Sequence, residues 1–284
     1  MASKSEISFI RSLHQKKYRE QHDLFIVEGT KMLNELLSSE FNLYAVYALE
    51  TYLPSLQISG KLPENVKITA VTQAELQKMS VLRTPNKVLA VAHLPRNAVH
   101  PPWETGPKQT DANGGPAGRP TDAAPGKAEA GTDAERSGSG MWLALDTLQD
   151  PGNMGTIIRL ADWFGMEGVL ASEDSVEFYN PKVVQATMGS LFRVQLRQVD
   201  LAATLARTKG PVYGALLEGK SIYEESFAAP GILLLGNESK GISPVLAKYI
   251  SHPVTIPRFG KAESLNVATA AAVICSEISR QVVF

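Results

Sequence analysis

A handful of polar side chains stand where apolar runs of this sequence give way to glycine-containing turns. Asn153 and Arg159 follow WLALD within DTLQDPGNMGTIIRLADWFG, residues 146–165. Glu238 follows the apolar run of ILLLGNESKGIS, and Ser264 and Asn266 lie beyond that of VTIPRFGKAESLNVATAAAV. An arginine grips phosphate or carboxylate through two parallel N–H groups, while amides, hydroxyls and a lone carboxylate orient a ligand or one another. The three turns contain no histidine, so a Ser–His or Cys–His nucleophile lacks its base. The nearest, His252, opens an apolar run and reads as structural. Nowhere do His, Cys and carboxylates take metal-ligand spacing. The 146–165 stretch is neither GxGxxG nor GxxxxGK[ST], and the absence of GxGxxG from the chain disfavours a dinucleotide-binding oxidoreductase. The remaining groups suit holding a nucleoside-like ligand and orienting a polyanion.

Each residue also has a plainer use. Asn153 and Ser264 are types that cap helices, Glu238 suits a solvated turn, and Arg159 can snorkel from a helix face. Arg159 sits well inside its helical stretch and reads as buried. What sets the plainer uses aside is the recurrence of such residues at three strand ends of one unit.

The elements that would position them are legible. MWLALDTL, GVLAS, RVQL, PVYGALL, GILLLG and HPVTIP are short continuous apolar runs, the pattern of strands buried on both faces. Helical stretches between them, at 156–164, 182–191, 201–208, 244–249 and 265–282, predict an α/β unit with a mainly parallel sheet. Such sheets bind ligands at the carboxyl ends of their strands. An N-terminal unit reads as a helix over SEISFIRSLHQKKYREQH, a strand LFIVEG, a helix TKMLNELL and a strand LYAVYALE. A strand and helix over KITAVTQAELQKMS and a closing strand KVLAVAHL complete it. Residues 96–140, rich in Pro, Gly, Ala, Thr and Asp with Trp103 the large apolar exception, read as a flexible linker. The expected division is therefore 1–95, a linker 96–140, and 141–284.

The 284 residues are 44% hydrophobic and 20% charged, a globular composition with room for two domains. No apolar stretch reaches the roughly 20 residues of a membrane span, and the N-terminus lacks a signal-peptide core, so cytoplasmic residence is the default expectation. The single Cys275, in ATAAAVICSEI, allows no internal disulfide and reads as a small buried thiol. A net charge of −1 does not announce a nucleic-acid binder, but phosphate binding depends on where charge clusters. RSLHQKKYRE places Arg11, Lys16, Lys17 and Arg19 within nine positions, either a solvated helix face or a track for phosphates.

LDTLQDPGNMGTIIRLADWFG, LLLGNESKGIS and IPRFGKAESLNVATAAAV resemble, in order, the three motifs of the SpoU/TrmH family of RNA ribose 2′-O-methyltransferases. SVEFYNPKVVQATMGSLFRV resembles the segment between the first two. ISFIRSLHQKKYREQHDLFIVEGTKMLNELL is similar to the substrate-binding domain often fused to them, a fold related to a ribosomal protein. The resemblance implies a deep trefoil knot in the C-terminal sheet, a homodimer, and S-adenosylmethionine as methyl donor without a metal. It places Arg159, Asn153, Glu238, Ser264 and Asn266 at the catalytic positions, with Asn153 holding loop and ribose. Glu238 would fix Arg159 or another group of the knot. Gly236, Asn237, Ile256 and Leu265 would line the donor site, with Leu216, Leu217, Glu218 and Gly219 bordering it. RNA would meet Arg11, Lys16, Lys17, Arg19, Lys31 and Arg258, the last standing where many members carry an apolar residue. The added N-terminal domain points to ribosomal rather than transfer RNA. A noncatalytic RNA-binding or ribosome-assembly protein on the same scaffold is the alternative.

Overall fold

The computed structural model describes residues 1–58, 62–63, 65–95 and 139–282; residues 96–138 of the expected linker, Trp103 included, lie outside the described residues. The N-terminal unit runs α1 (Lys4–Ser12), α2 (Lys16–His22), β1 (Leu24–Glu28), α3 (Thr30–Leu37), β2 (Leu43–Leu49), α4 (Leu53–Ile58), β3 (Lys67–Val71), α5 (Gln73–Met79) and β4 (Val88–His93). Ser3 and Glu6 form a reciprocal cap that starts α1, and Thr72 with Glu75 does the same for α5. The expected single N-terminal helix is two, separated by a turn at 13–15.

The four strands lie in the order β1-β4-β2-β3; only β2 and β3 run parallel. β1 is buried throughout because both of its faces are covered. Leu24 and Ile26 meet Ile10, Leu13 and Leu76 on one side. Phe25 and Val27 lie on the other with Leu33 and Leu36, and there Val184, Leu191 and Phe192 from the second unit join the same core.

The second unit continues with β5 (Met141–Leu145), α6 (Pro151–Trp163), β6 (Gly168–Ser172), α7 (Pro181–Ala186), a 3-10 turn (Ser190–Phe192), β7 (Gln195–Val199) and α8 (Leu201–Arg207). Then come β8 (Val212–Ser221), β9 (Gly231–Leu235), α9 (Pro244–Ala247), β10 (His252–Thr255) and α10 (Val267–Val282). All six strands are parallel, in the order β10-β8-β9-β5-β6-β7. Met141, Leu143 and Leu145 face α6 and α10, while Trp142 and Ala144 face α8 and α9. This two-sided burial is what the continuous apolar runs predicted. Cys275 is fully buried in α10, and burial pushes its thiol up to about 12, so it is inert packing.

Strand order reverses between β5 and its neighbour β9, so the loops after these two strands flank the topological switch point where open parallel sheets bind ligands. β10 lies at the far edge beside β8, and residues 256–266 carry the chain from that edge back to the β5 side.

Candidate active site

The loop after β5 is fixed by a strand-end aspartate. Asp146, 4% exposed, accepts from the backbone N–H of Ser243 at 2.7 Å and from the Thr147 hydroxyl at 3.0 Å. Asn237 donates to the Thr147 carbonyl at 2.8 Å, and its side-chain oxygen accepts from the N–H groups of Ser239 and Lys240. Asn237 and Gly241 also exchange two backbone hydrogen bonds of 3.0 and 2.9 Å, which closes the β9 loop. Gly236 is obligatory there: a Cβ would lie 2.2 Å from the Gly241 carbonyl carbon.

The cap of α6 is Asp150, whose Oδ1 accepts from the Asn153 N–H at 2.7 Å, with Pro151 at the first helical position. Asn153, read from sequence as the cap, is thereby free to work through its side chain. Its Nδ2 donates to Glu238 Oε1 at 3.0 Å, and its Oδ1 accepts from Asn266 Nδ2 at 3.0 Å. Asn266 in turn caps α10, accepting from the N–H groups of Ala268 and Thr269 at 3.0 and 3.2 Å. One chain, Glu238–Asn153–Asn266, therefore ties together loops that follow three different strands. Ser264 lies three residues before the first residue of α10, exposed and outside this chain.

Arg159 departs from its expectation. It is exposed, on the α6 stripe that includes Thr156 and Trp163, and its side chain has no hydrogen-bond or ion-pair partner among the described residues. Glu238 holds Asn153, not Arg159. Six residues separate Arg159 from Asn153, about 9 Å along the helix axis.

The residues expected to hold a nucleoside-like ligand surround the same strand ends. β8 pairs with β10 through Gly214↔Pro253, then jumps to Lys220↔Val254, so residues 215–219 bulge from the ladder. Leu216, Leu217, Glu218 and Gly219 are exposed on that bulge, and the Leu217 carbonyl accepts from the Thr255 hydroxyl at 3.1 Å. A Cβ on Gly219 would meet the Pro253 carbonyl oxygen at 2.7 Å, so the bulge lies close on β10. Ile256 is half-buried, and Leu265 is 50% exposed. Exposed peptides beside unburied leucines offer the backbone hydrogen bonds and apolar contact with which small-molecule sites hold a ligand. No metal-binding group of side chains occurs among the described residues.

The basic residues divide. Arg11 is exposed and, with His14, Gln77, Lys78, Ser80 and Val81, lines a cavity of about 340 Å³. Lys16 pairs with Glu20 at 3.6 Å, and Lys17 lies 5.8 Å from the Tyr18 ring centre, both at the surface. Lys31 is exposed on α3, and Arg258 is exposed, donating to the Ala262 carbonyl at 3.2 Å. Arg19 is the correction: it is 1% exposed, donates to the Leu13 carbonyl at 2.7 Å and pairs with Glu177 of the second unit. Burial lowers its pKa to about 10, and it is a bolt between the units. Sequence reasoning missed Asp146 and Asp150, although Pro at a first helical position marks the preceding residue as a cap.

A parallel sheet whose switch-point loops are cross-braced, joined to a second α/β unit, defines a two-part ligand-binding α/β protein. The SpoU rRNA Methylase family matches residues 140–276, and the MRM3-like substrate binding domain matches residues 4–90. A putative RNA methyltransferase of the TrmH family from Porphyromonas gingivalis is 35% identical, with a TM-score of 0.78 over 99% of both chains. The 23S rRNA (guanosine(2553)-2′-O)-methyltransferase RlmP of Bacillus subtilis is 26% identical over 96% of this chain and 95% of its own. An AdoMet-bound rRNA methyltransferase from Sinorhizobium meliloti shares the fold, with 24% identity and a TM-score of 0.75 over 99% and 97% of the chains. The chain belongs to the SpoU/TrmH family of RNA methyltransferases.

Proposed function

We propose that the protein transfers a methyl group from S-adenosylmethionine to a ribose 2′-hydroxyl of structured RNA, ribosomal rather than transfer RNA. The observation that carries this reading is the Glu238–Asn153–Asn266 chain, which locks the three motif loops together at the switch point, with Arg159 unpaired among the described residues on the helix it anchors. The ribosomal preference is supported by the Bacillus subtilis relative, which matches nearly end to end and acts on 23S rRNA by its name.

S-adenosylmethionine, when bound, supplies an electrophilic methyl group on a sulfonium, so the protein's task is alignment and proton removal. The bulge at Leu216–Gly219, Gly236, Asn237, Ile256 and Leu265 fit the donor through backbone groups and apolar walls. Arg159 pairs with an RNA phosphate and stabilises charge developing on the 2′-oxygen. The 2′-hydroxyl proton passes to a neighbouring RNA phosphate oxygen or a water as the methyl leaves the sulfonium, and Arg159 is not the acceptor. Asn153 holds the loops in register, Glu238 and Asn266 orient Asn153, and Ser264 stands in the third loop to meet the reacting hydroxyl. Arg11, Lys16, Lys17, Lys31 and Arg258 contact phosphates and so position the RNA rather than read it.

The same reading divides the chain at 1–95 and 141–284 around a linker, places the enzyme in the cytoplasm and gives the C-terminal unit a trefoil knot. The return of 256–266 from the β10 edge supports the knot. It also makes the enzyme a homodimer, supported by side chains as exposed as Trp163 (83%) and Phe259 (97%). The test is Arg159→Ala assayed for methyl transfer to unmethylated 23S rRNA transcribed in vitro, with donor binding measured by calorimetry. Transfer should fall at least about 100-fold, the scale of removing one charge-stabilising group, with donor affinity unchanged. Wild-type transfer by Arg159→Ala would sink the role of Arg159, and a native protein that binds no donor would favour the noncatalytic alternative.

A further inference from the structure

Arg159 shares α6 with a carboxylate within pairing reach by helix spacing. Asp162 lies three residues further along, and helix positions three apart are surface neighbours whose opposite charges pair. Yet Arg159 has no partner among the described residues, and a second arginine holds Asp162 instead. Arg193, just after the 3-10 turn, takes the Asp162 carboxylate with its fork: Nε donates to Oδ2 at 3.1 Å and to Oδ1 at 3.3 Å, and Nη2 donates to Oδ2 at 2.8 Å. The remaining arm, Nη1, reaches across the unit boundary to Glu35 of α3. The hydrogen bonds that Arg193 donates to Asp162 are the main cause that raises the Arg193 pKa above its usual value.

The approach of the two units at this point is close. Gly189 has φ +104°, and a Cβ there would lie 2.6 Å from Glu35 Cγ, so the turn that presents Arg193 packs directly on the Glu35 side chain. Arg193 is therefore held from two sides, by α6 of its own unit and by α3 of the N-terminal unit.

We propose that Arg193 is a positioning residue for methyl transfer: by occupying Asp162 it keeps the Arg159 guanidinium free for RNA, and its contact with Glu35 makes that free state depend on the docked N-terminal unit. The proposal rests on the reading of Arg159 as the RNA-facing cation. It explains why an acidic residue is tolerated one turn from a cation that must meet phosphate. It also gives the N-terminal unit a role in the competence of the catalytic helix beyond holding RNA.

The test compares Arg193→Ala with the double variant Arg193→Ala/Asp162→Asn, using tritiated donor and unmethylated 23S rRNA transcribed in vitro. Arg193→Ala should lose about fivefold in kcat/KM, the upper range for an exposed ion pair, with donor affinity unchanged by calorimetry. The double variant should return to within about twofold of wild type, because the competing carboxylate is gone. That rescue cannot come from restored packing, since Asp162→Asn does nothing for the lost contact with Glu35. A double variant as impaired as Arg193→Ala, or an unimpaired Arg193→Ala, overturns the proposal. If Arg193→Ala does not fold, Arg193→Met keeps the aliphatic stem and loses only the fork, and the same pair of comparisons applies. A crystal structure of the single variant decides the point without activity. Arg159 should then lie within about 4 Å of Asp162, and an Arg159 still unpaired overturns the proposal. Arg159→Ala in the same assay separates the two readings. Wild-type transfer there condemns the role of Arg159, while the crystal structure of the Arg193→Ala variant still judges whether Arg193 keeps Arg159 from Asp162.

Discussion

Asn153 uses both ends of one amide, donating to Glu238 and accepting from Asn266, so its chemistry cannot be reproduced by any near-isostere. An aspartate at this position keeps the acceptor for Asn266 but turns the donor into a second carboxylate oxygen facing Glu238 at hydrogen-bond distance. Two like charges then replace one hydrogen bond, and the first and second motif loops are pushed apart. Asn153→Asp should lower kcat/KM by about fivefold, corresponding to the ~1 kcal/mol of an exposed charge interaction. Single-turnover methyl transfer measures it; a rate within twofold of wild type would show that the amide chain is ornamental to catalysis. The same residue illustrates a limit of residue-level reading. Asn153 and Asp150 are both good capping types three positions apart, and only Pro151 between them says which of the two takes the cap.

At the level of elements, the β9 loop is where backbone geometry admits no substitute. Gly236 approaches Ile242 so closely that a Cβ would sit 2.3 Å from its backbone nitrogen, and both obstructing groups are main chain. Gly236→Ala must open the Asn237–Gly241 bridge, and with it the hold of Asn237 on the Thr147 carbonyl. Overpacking of this kind costs ~1–3 kcal/mol, so the melting temperature should fall by several degrees and donor affinity by at least about tenfold. Unchanged donor binding by calorimetry would remove this loop from the donor site. The strands around it were legible because parallel strands buried on both faces are bound to be continuous apolar runs, as MWLAL and GILLL are. The β8 bulge was not, because PVYGALLEGKS gives no sign that its second half pairs five positions out of step. Nor was the break of the N-terminal helix at 13–15, where neither proline nor glycine intervenes. The charge run RSLHQKKYRE was read as one surface because a sequence cannot show that Arg19 meets a glutamate 158 positions away.

Across the whole molecule, the segment between the first two motifs joins the two units. Tyr179 lies against Phe25 and Phe41 with ring centres 4.9 and 6.4 Å apart, and Phe192 meets Phe41 at 5.3 Å edge-on. Val184 and Leu191 complete a core shared with the N-terminal sheet. Beside this apolar contact sits the Arg19–Glu177 pair, with side-chain exposures of 1% and 15%. A buried pair of this kind adds little over an apolar contact of the same shape, but removing one partner strands a charge out of water. Arg19 remains charged at neutral pH, since burial brings its pKa down only to about 10. Glu177→Gln should therefore destabilise the protein by ~3–5 kcal/mol, and Arg19→Met/Glu177→Gln should recover much of that loss because no charge is left behind. Denaturant melts of the two variants decide the matter. If single and double variants lose equal stability, the loss is that of the Arg19–Glu177 contact and not of a stranded charge. If the double variant recovers, the loss in Glu177→Gln comes from the stranded Arg19 charge and not from the contact between the units itself.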